Sequence, residues 1–256
     1  MKIIEMVNQI MMNEVFQVDK ELIYITGKPV MLNGVPIRPI TIDEIAEMGY
    51  SNYRNLLSYI CADINDIVKD NDGKYDNSHI YAFLLYGYLN NESSKNAFTA
   101  ALQMICHTDN IRYDANNEAF LIDNGVLNND NFLDFQMIVK ERNGISQINE
   151  DIENPANAKA AALLAKKKAL KKKIDKAKNQ ETSGITLADL VSITASGLHL
   201  PLSVVSQYDI YQFNDQFNRL RIFKDYDVNI QALLAGADSN SIKLQHWISK
   251  TDESDE

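Results

Sequence analysis

Apolar positions along the chain change period several times, and each change marks an element. Ile3, Met6, Val7 and Ile10 fall at helical spacing and predict a short amphipathic helix over residues 3–12. Two brief β-prone runs follow, Val15-Phe16-Gln17-Val18 and Leu22-Ile23-Tyr24-Ile25, separated by charged residues and read as strands. Asn33-Gly34 lies between Val30-Met31-Leu32 and Val35-Pro36-Ile37. Asn-Gly between apolar runs is the strongest short hairpin signal, because both residues accept the positive φ of a type I′ turn. Pro36 and Pro39 have no N–H to donate to a ladder, so this strand is expected at an edge.

Helical periods dominate the next hundred residues. Thr41 with Glu44 three residues on forms a capping box, and Gly49 stops the helix it opens. Residues 51–69 predict a second helix with Leu56, Leu57, Ile60, Ile64, Ile67 and Val68 on one face. Asp70-Asn71-Asp72-Gly73 reads as a turn, and the strongly apolar residues 80–89 predict a buried helix. Residues 93–107 predict another helix, opened by Ser93 or Ser94. A second hairpin joins residues 111–113 to 119–122 through Asp114-Ala115-Asn116-Asn117-Glu118. A helix over residues 130–142 ends at Asn143-Gly144.

Composition shifts abruptly after residue 150. An acidic stretch, 150–153, leads into Asn154-Pro155, and residues 156–179 are almost entirely Ala, Lys and Leu. Nine lysines there face one acid, Asp175, and apolar side chains are few, so the expected element is a helix solvated on most sides. Beyond Gly184, Thr186 and Asp189 form a plausible cap pair, Gly197 ends that helix, and Pro201 suits the first turn of the next. Ile210, Phe213, Phe217 and Leu220 recur as a buried stripe, and Ala235-Gly236 closes the run. Ile242, Leu244, Trp247 and Ile248 read as a final packing segment before an acidic, frayed end. The expected fold is α+β and mostly helical. A mixed α+β domain with short β-hairpins occupies residues 1–150, a Lys-rich linker helix 151–184, a small helical C-terminal domain 185–250 and an acidic tail 251–256.

Charge and cysteine usage narrow the function classes. The 256 residues are 45% apolar, enough for a real core, and carry a net charge of −10, which disfavours a general nucleic-acid coat or binding to an anionic membrane. Cys61 and Cys106 lie far apart in apolar helical patterns and read as reduced core thiols in an intracellular protein. The start of the chain is charged within five residues and lacks the apolar stretch of a signal peptide, and no run is long enough to span a membrane.

Catalytic and metal-binding constellations are not found. The ten glycines form no phosphate loop, and His79, His107, His199 and His246 are isolated, so neither zinc nor another cofactor is expected. His107 follows Cys106, but sequence neighbours point apart on a helix. The runs at 70–76 and 114–118 hold alternating oxygens, yet their spacing departs from a calcium loop and favours turns. Lys166, Lys167, Lys168, Lys171, Lys172 and Lys173 are candidate partner contacts, although lysine without arginine or aromatics is poor at reading bases. Residues 186–207 mimic a helix-turn-helix, with a thin groove-facing set of Ser203, Ser206 and Gln207. Trp247, the lone tryptophan, is either a partner anchor or, the favoured reading, the lid of a C-terminal core.

Three segments resemble proteins of the tail-gene region of phages of Gram-positive bacteria, including tail assembly chaperone-like proteins. They are residues 29–45 (from Pro29-Val30-Met31 to Asp43-Glu44-Ile45), 208–220 (Tyr208-Asp209-Ile210 to Arg219-Leu220) and 232–237 with Leu244-Gln245-His246-Trp247. The resemblance implies a non-enzymatic protein acting in tail assembly, a chaperone that coats the tape measure protein until tail tube subunits polymerise around it. It implies tail proteins as partners, self-association, and residence in the host bacterial cytoplasm. The alternatives are a structural tail or baseplate component, which would remain in the virion, and a DNA-binding regulator using the basic helix and residues 186–207.

Overall fold

A computed structural model describes residues 20–67, 77–145, 184–238, 242 and 244–249. The expected helix over 3–12, the strand over 15–18, the turn at 70–73, the lysine-rich helix and the acidic end lie outside the described residues. Among the described residues the protein is α+β and mostly helical, with two small antiparallel sheets.

The described chain opens in helix at residues 20–25, where a strand was expected. The reason is a side-chain partnership. Lys20 Nζ and Tyr24 Oη both reach Glu141 Oε2, at 2.5 and 2.9 Å. Positions four apart lie about 6 Å apart on a helix and about 13 Å apart on a strand, so only the helix brings both to one carboxylate. Gly27, at φ +65°, ends the turn.

The first hairpin forms as the Asn-Gly signal predicts. β1 (Val30–Leu32) pairs with β2 (Val35–Ile37), and Asn33 and Gly34 both take positive φ. Thr41 and Glu44 cap α1 (Ile42–Met48) reciprocally, and Gly49 closes it at φ +85°. The predicted helix over 51–69 is broken by Ala62 and Asp63 into α2 (Tyr50–Cys61) and α3 (Ile64–Ile67). Gln136, almost fully buried, holds that break: its Nε2 donates to the carbonyls of Ile60 and Ala62 at 2.9 and 2.8 Å. The carbonyls left open where a helix stops are thereby satisfied.

A short 3-10 turn (Asn77–His79) leads to α4 (Ile80–Asn90), and Asn91, rather than either serine, caps α5 (Glu92–Cys106). α5 is the central helix, with Phe98, Ala101, Leu102, Ile105 and Cys106 buried. Around Phe98 gather Tyr59, Tyr88, Phe120 and Phe132, with ring centroids 4.9–6.5 Å away. The second sheet is β3 (Ile111–Asp114), β4 (Ala119–Ile122) and β5 (Gly125–Leu127) in that order. β5 was not expected; its turn is the two residues Asp123-Asn124, with Asp123 at φ +50°. The two hairpin turns then meet backbone to backbone. A Cβ on Gly125 would fall 2.2 Å from the Gly34 carbonyl carbon and the Val35 nitrogen.

α6 (Phe132–Arg142) ends at Asn143-Gly144 as expected. The described C-terminal residues form α7 (Leu187–Leu198), α8 (Leu202–Val205) and α9 (Ile210–Leu234). The Thr186–Asp189 pair caps α7. Gly197 lies inside α7 instead of ending it, where a Cβ would sit 2.4 Å from Leu220 of α9, so this glycine lets two helices approach closely. Ala195, Val205, Ile210 and Phe213 belong to the same buried cluster as α1, α2, α5 and α6.

Backbone bonds join the two parts as well. Ile42 N donates to Tyr208 O at 3.0 Å, Ile210 N to Ile40 O at 3.2 Å, and Asp43 N to Ser206 O at 2.9 Å. Buried beside this seam are Arg142 and Asp209, each 3% exposed. Arg142 donates from Nη2 to the Lys28 carbonyl and stacks over Tyr24, 4.7 Å from the ring centroid. Asp209 caps α9 through Gln212 N at 2.8 Å. Burial lowers the pKa of Arg142 and raises that of Asp209, while attraction between the two opposes both shifts.

Candidate interaction surface

α4 reads Ile-Tyr-Ala-Phe-Leu-Leu-Tyr-Gly-Tyr-Leu-Asn. A helix apolar on every side is normally enclosed, and a buried helix was the expectation. The fold covers only one face. Ile80, Tyr81, Leu84 and Leu85 are buried, while Phe83, Tyr86 and Leu89 are 40%, 69% and 55% exposed. The outward residues recur at three-residue steps and so form one stripe. Covering them would mean another layer of chain, which the described residues do not provide.

Beside this stripe runs a groove of about 660 Å³ between α4 and the loops at 117–118 and 128–130. Tyr81, Leu85, Tyr86 and Leu89 supply its apolar lining, and its titratable groups besides Tyr81 and Tyr86 are the carboxylates Glu118 and Asp130 and the imidazole of His79. No lysine or arginine lines it. The walls are fixed by local hydrogen bonds. Tyr81 Oη donates to the Glu118 carbonyl at 2.6 Å. Asn131 Oδ1 accepts from Asn128 N at 2.9 Å, and Asn131 Nδ2 donates to the Val126 carbonyl at 2.8 Å. In the neighbouring turn Asn117 Nδ2 and Asn116 N both donate to Asp114, holding its carboxyl below the usual range. Such a site is pre-shaped, which limits the entropy lost on binding.

A second apolar surface lies on the far half of α9. Ile222 is buried, but Phe223, Val228 and Leu234 face outward. Trp247 meets Phe223 edge-on at 6.3 Å and stacks on His246, which lies 5.3 Å from Tyr226. Trp247 is 47% exposed, so it does not close a core as expected. The other candidates, Lys166, Lys167, Lys168, Lys171, Lys172 and Lys173, lie outside the described residues. The helix expected to follow Pro201 is the single turn α8, and Val205 within it is buried.

The two cysteines and the His107–Glu44 pair are committed to structure. Cys106 is fully buried and Cys61 half-buried, and burial pushes both thiols up to about 12, the opposite of what an activated thiolate needs. His107, in a left-handed conformation at the end of α5, points Nδ1 toward Glu44 at 3.6 Å. Glu44 spends its other oxygen on the Thr41 cap. Among the described residues no group of three or more His, Cys, Asp or Glu is placed to hold a metal ion, and no helix is long and apolar enough to cross a membrane.

Sequence could have flagged the α4 surface. Eleven residues with Tyr and Phe on every side exceed what one buried face needs, but the groove beside it depends on the loops at 117–118 and 128–130, well beyond the helix along the chain. Comparison with curated proteins gave no match, and neither did comparison with solved structures. Residues 176–252, which include α7, α8, α9 and Trp247, match the family described as the YomV second domain, a phage-type domain.

Proposed function

We propose that this chain is a non-enzymatic assembly protein of a tailed phage or prophage, a chaperone that holds the tape measure protein in the host cytoplasm during tail morphogenesis. Support for the phage setting comes from the match of residues 176–252. The observation that carries a binding role is the outward face of α4, where Phe83, Tyr86 and Leu89 stand exposed beside a shaped groove. Contiguous exposed apolar surface of this kind marks a contact with another protein. A chaperone for a helical client works by offering such a surface, and it needs no active site.

The test is purification of the tagged full chain from cells carrying its native gene cluster, at low and at moderate salt, with partners identified by mass spectrometry. The expected result is a long, helix-rich tail protein at both salts and absence of the chain from purified virions. Retention in virions would assign it to tail or baseplate structure. Nucleic acid recovered only at low salt would overturn the tail reading and move attention to Lys166–Lys173.

A further inference from the structure

We infer that the groove beside α4 receives an amphipathic helix whose apolar stripe is flanked by lysine or arginine. This rests on the binding role proposed above and names the partner's chemistry at that site.

Three observations lead there. First, the groove offers side chains rather than backbone. It is lined by α4, whose amides are spent within the helix, and by loops 117–118 and 128–130, with no strand edge among the lining residues. A partner receives no ladder there and must satisfy its own backbone, which a helix does internally. Second, Tyr81, Leu85 and Leu89 line the groove at four-residue steps along one face of α4, with Tyr86 beside them, so a partner helix laid alongside would meet them with anchors at i, i+3, i+4 and i+7. Third, charge selects the sign of the partner's flanks. Glu118 and Asp130 are the carboxylates lining it, no lysine or arginine offsets them, His79 is the one histidine of the lining, and the whole chain carries −10. A helix with acidic flanks is repelled at long range and on contact, whereas basic flanks meet both rim carboxylates. The same sign disfavours an anionic lipid surface.

The probe is a fluorescein-labelled synthetic helix of leucine and lysine, about 18 residues or five turns long, titrated with the full chain and read by anisotropy. Two controls share its length: one with glutamate in place of lysine, one with the leucines scrambled out of register. The lysine helix should bind about tenfold more tightly than either control. Tyr86→Ser with Leu89→Ser, both at exposed positions, should weaken binding about tenfold at every salt concentration. Glu118→Gln with Asp130→Asn should weaken it less but flatten its salt dependence. Unchanged circular dichroism shows that each variant is folded.

Equal binding of the lysine and glutamate helices would overturn the inference, and so would indifference to Tyr86→Ser with Leu89→Ser. Concentration-dependent dimerisation abolished by Tyr86→Ser would overturn it in favour of a second copy in the groove. Tighter probe binding after deletion of residues 156–179 would identify the chain's own basic segment as the occupant, again overturning it. The two proposals fail separately. If the probe binds while no tail protein co-purifies, the groove assignment stands and the tail reading falls. If Tyr86→Ser with Leu89→Ser still recovers the tail protein, the tail reading stands and the groove assignment falls.

Discussion

Replacing Gly125 with alanine would place a methyl group inside another turn's backbone. Its Cβ would lie 2.2 Å from the carbonyl carbon of Gly34 and the nitrogen of Val35, and 2.6 Å from the Gly34 oxygen. An ordinary contact needs about 3.4 Å, so the two hairpins must separate by roughly 1.2 Å. No flexible side chain is available to move aside, because every opposing atom is main chain. That displacement would also stretch the bond from Val126 N to the Asn33 carbonyl, already 3.3 Å long, beyond useful range. Overpacking at this level costs about 1–3 kcal/mol, and a lost hydrogen bond about 1 kcal/mol. Alanine returns about 0.5 kcal/mol by stiffening the unfolded chain. The expected loss is therefore about 1.5–3.5 kcal/mol. With a urea slope of about 2 kcal/mol per molar, the unfolding midpoint should fall by about 0.8–1.8 M. Gly87→Ala supplies the control. Its Cβ would make only ordinary contacts of 3.6–3.7 Å with Ser94 and Tyr59, within helix α4. The same chemical change there should raise stability by about 1 kcal/mol, since glycine is a poor helix former. A Gly125→Ala midpoint within about 0.3 M of the parent's would refute the backbone contact between the hairpins.

Three further predictions concern buried groups. Arg142→Met should cost about 1–3 kcal/mol, because it removes the Nη2 bond to the Lys28 carbonyl and a nearby positive charge that favours the buried Asp209 carboxylate; adding Asp209→Asn should recover part of that, and strict additivity in the double-mutant cycle would refute the coupling. Asp209 also sets a pH slope. Burial raises its folded pKa above the ordinary 3.8, so its ionisation costs stability above the raised value, and the cost is relieved as pH falls back through that interval. Stability measured across the interval should fall with rising pH more steeply in Arg142→Met and lose this component in Asp209→Asn. Finally, Cys61 and Cys106, with thiols pushed up to about 12 by burial, should react with iodoacetamide at neutral pH only after unfolding; rapid native-state alkylation of Cys106 would contradict its placement in the core.

Local chemistry determined several elements before any packing was considered. Asn33-Gly34 makes a type I′ turn because its own backbone preferences suffice. Thr41–Glu44 and Thr186–Asp189 start helices because a side chain three residues away satisfies an amide that the helix cannot. The α+β, mostly helical class follows from such signals summed along the chain.

Tertiary structure decided the rest, wherever a residue's role depends on something distant. Residues 22–25 carry the composition of a strand, yet they are helical because Lys20 and Tyr24 share Glu141, more than a hundred residues away. Gly125 and Gly197 look like ordinary punctuation, and only the approach of Gly34 and of Leu220 shows why a side chain is not tolerated. Trp247 was expected in a core because tryptophan buries much apolar area, but the short segment around it reaches only one side of α9. α4 is the same lesson with a functional outcome. Its sequence specifies an apolar helix, but whether Phe83, Tyr86 and Leu89 meet protein or solvent depends on how many layers the fold supplies. Hydrophobic periodicity records which side chains favour burial, and the assembled chain decides which are left for a partner.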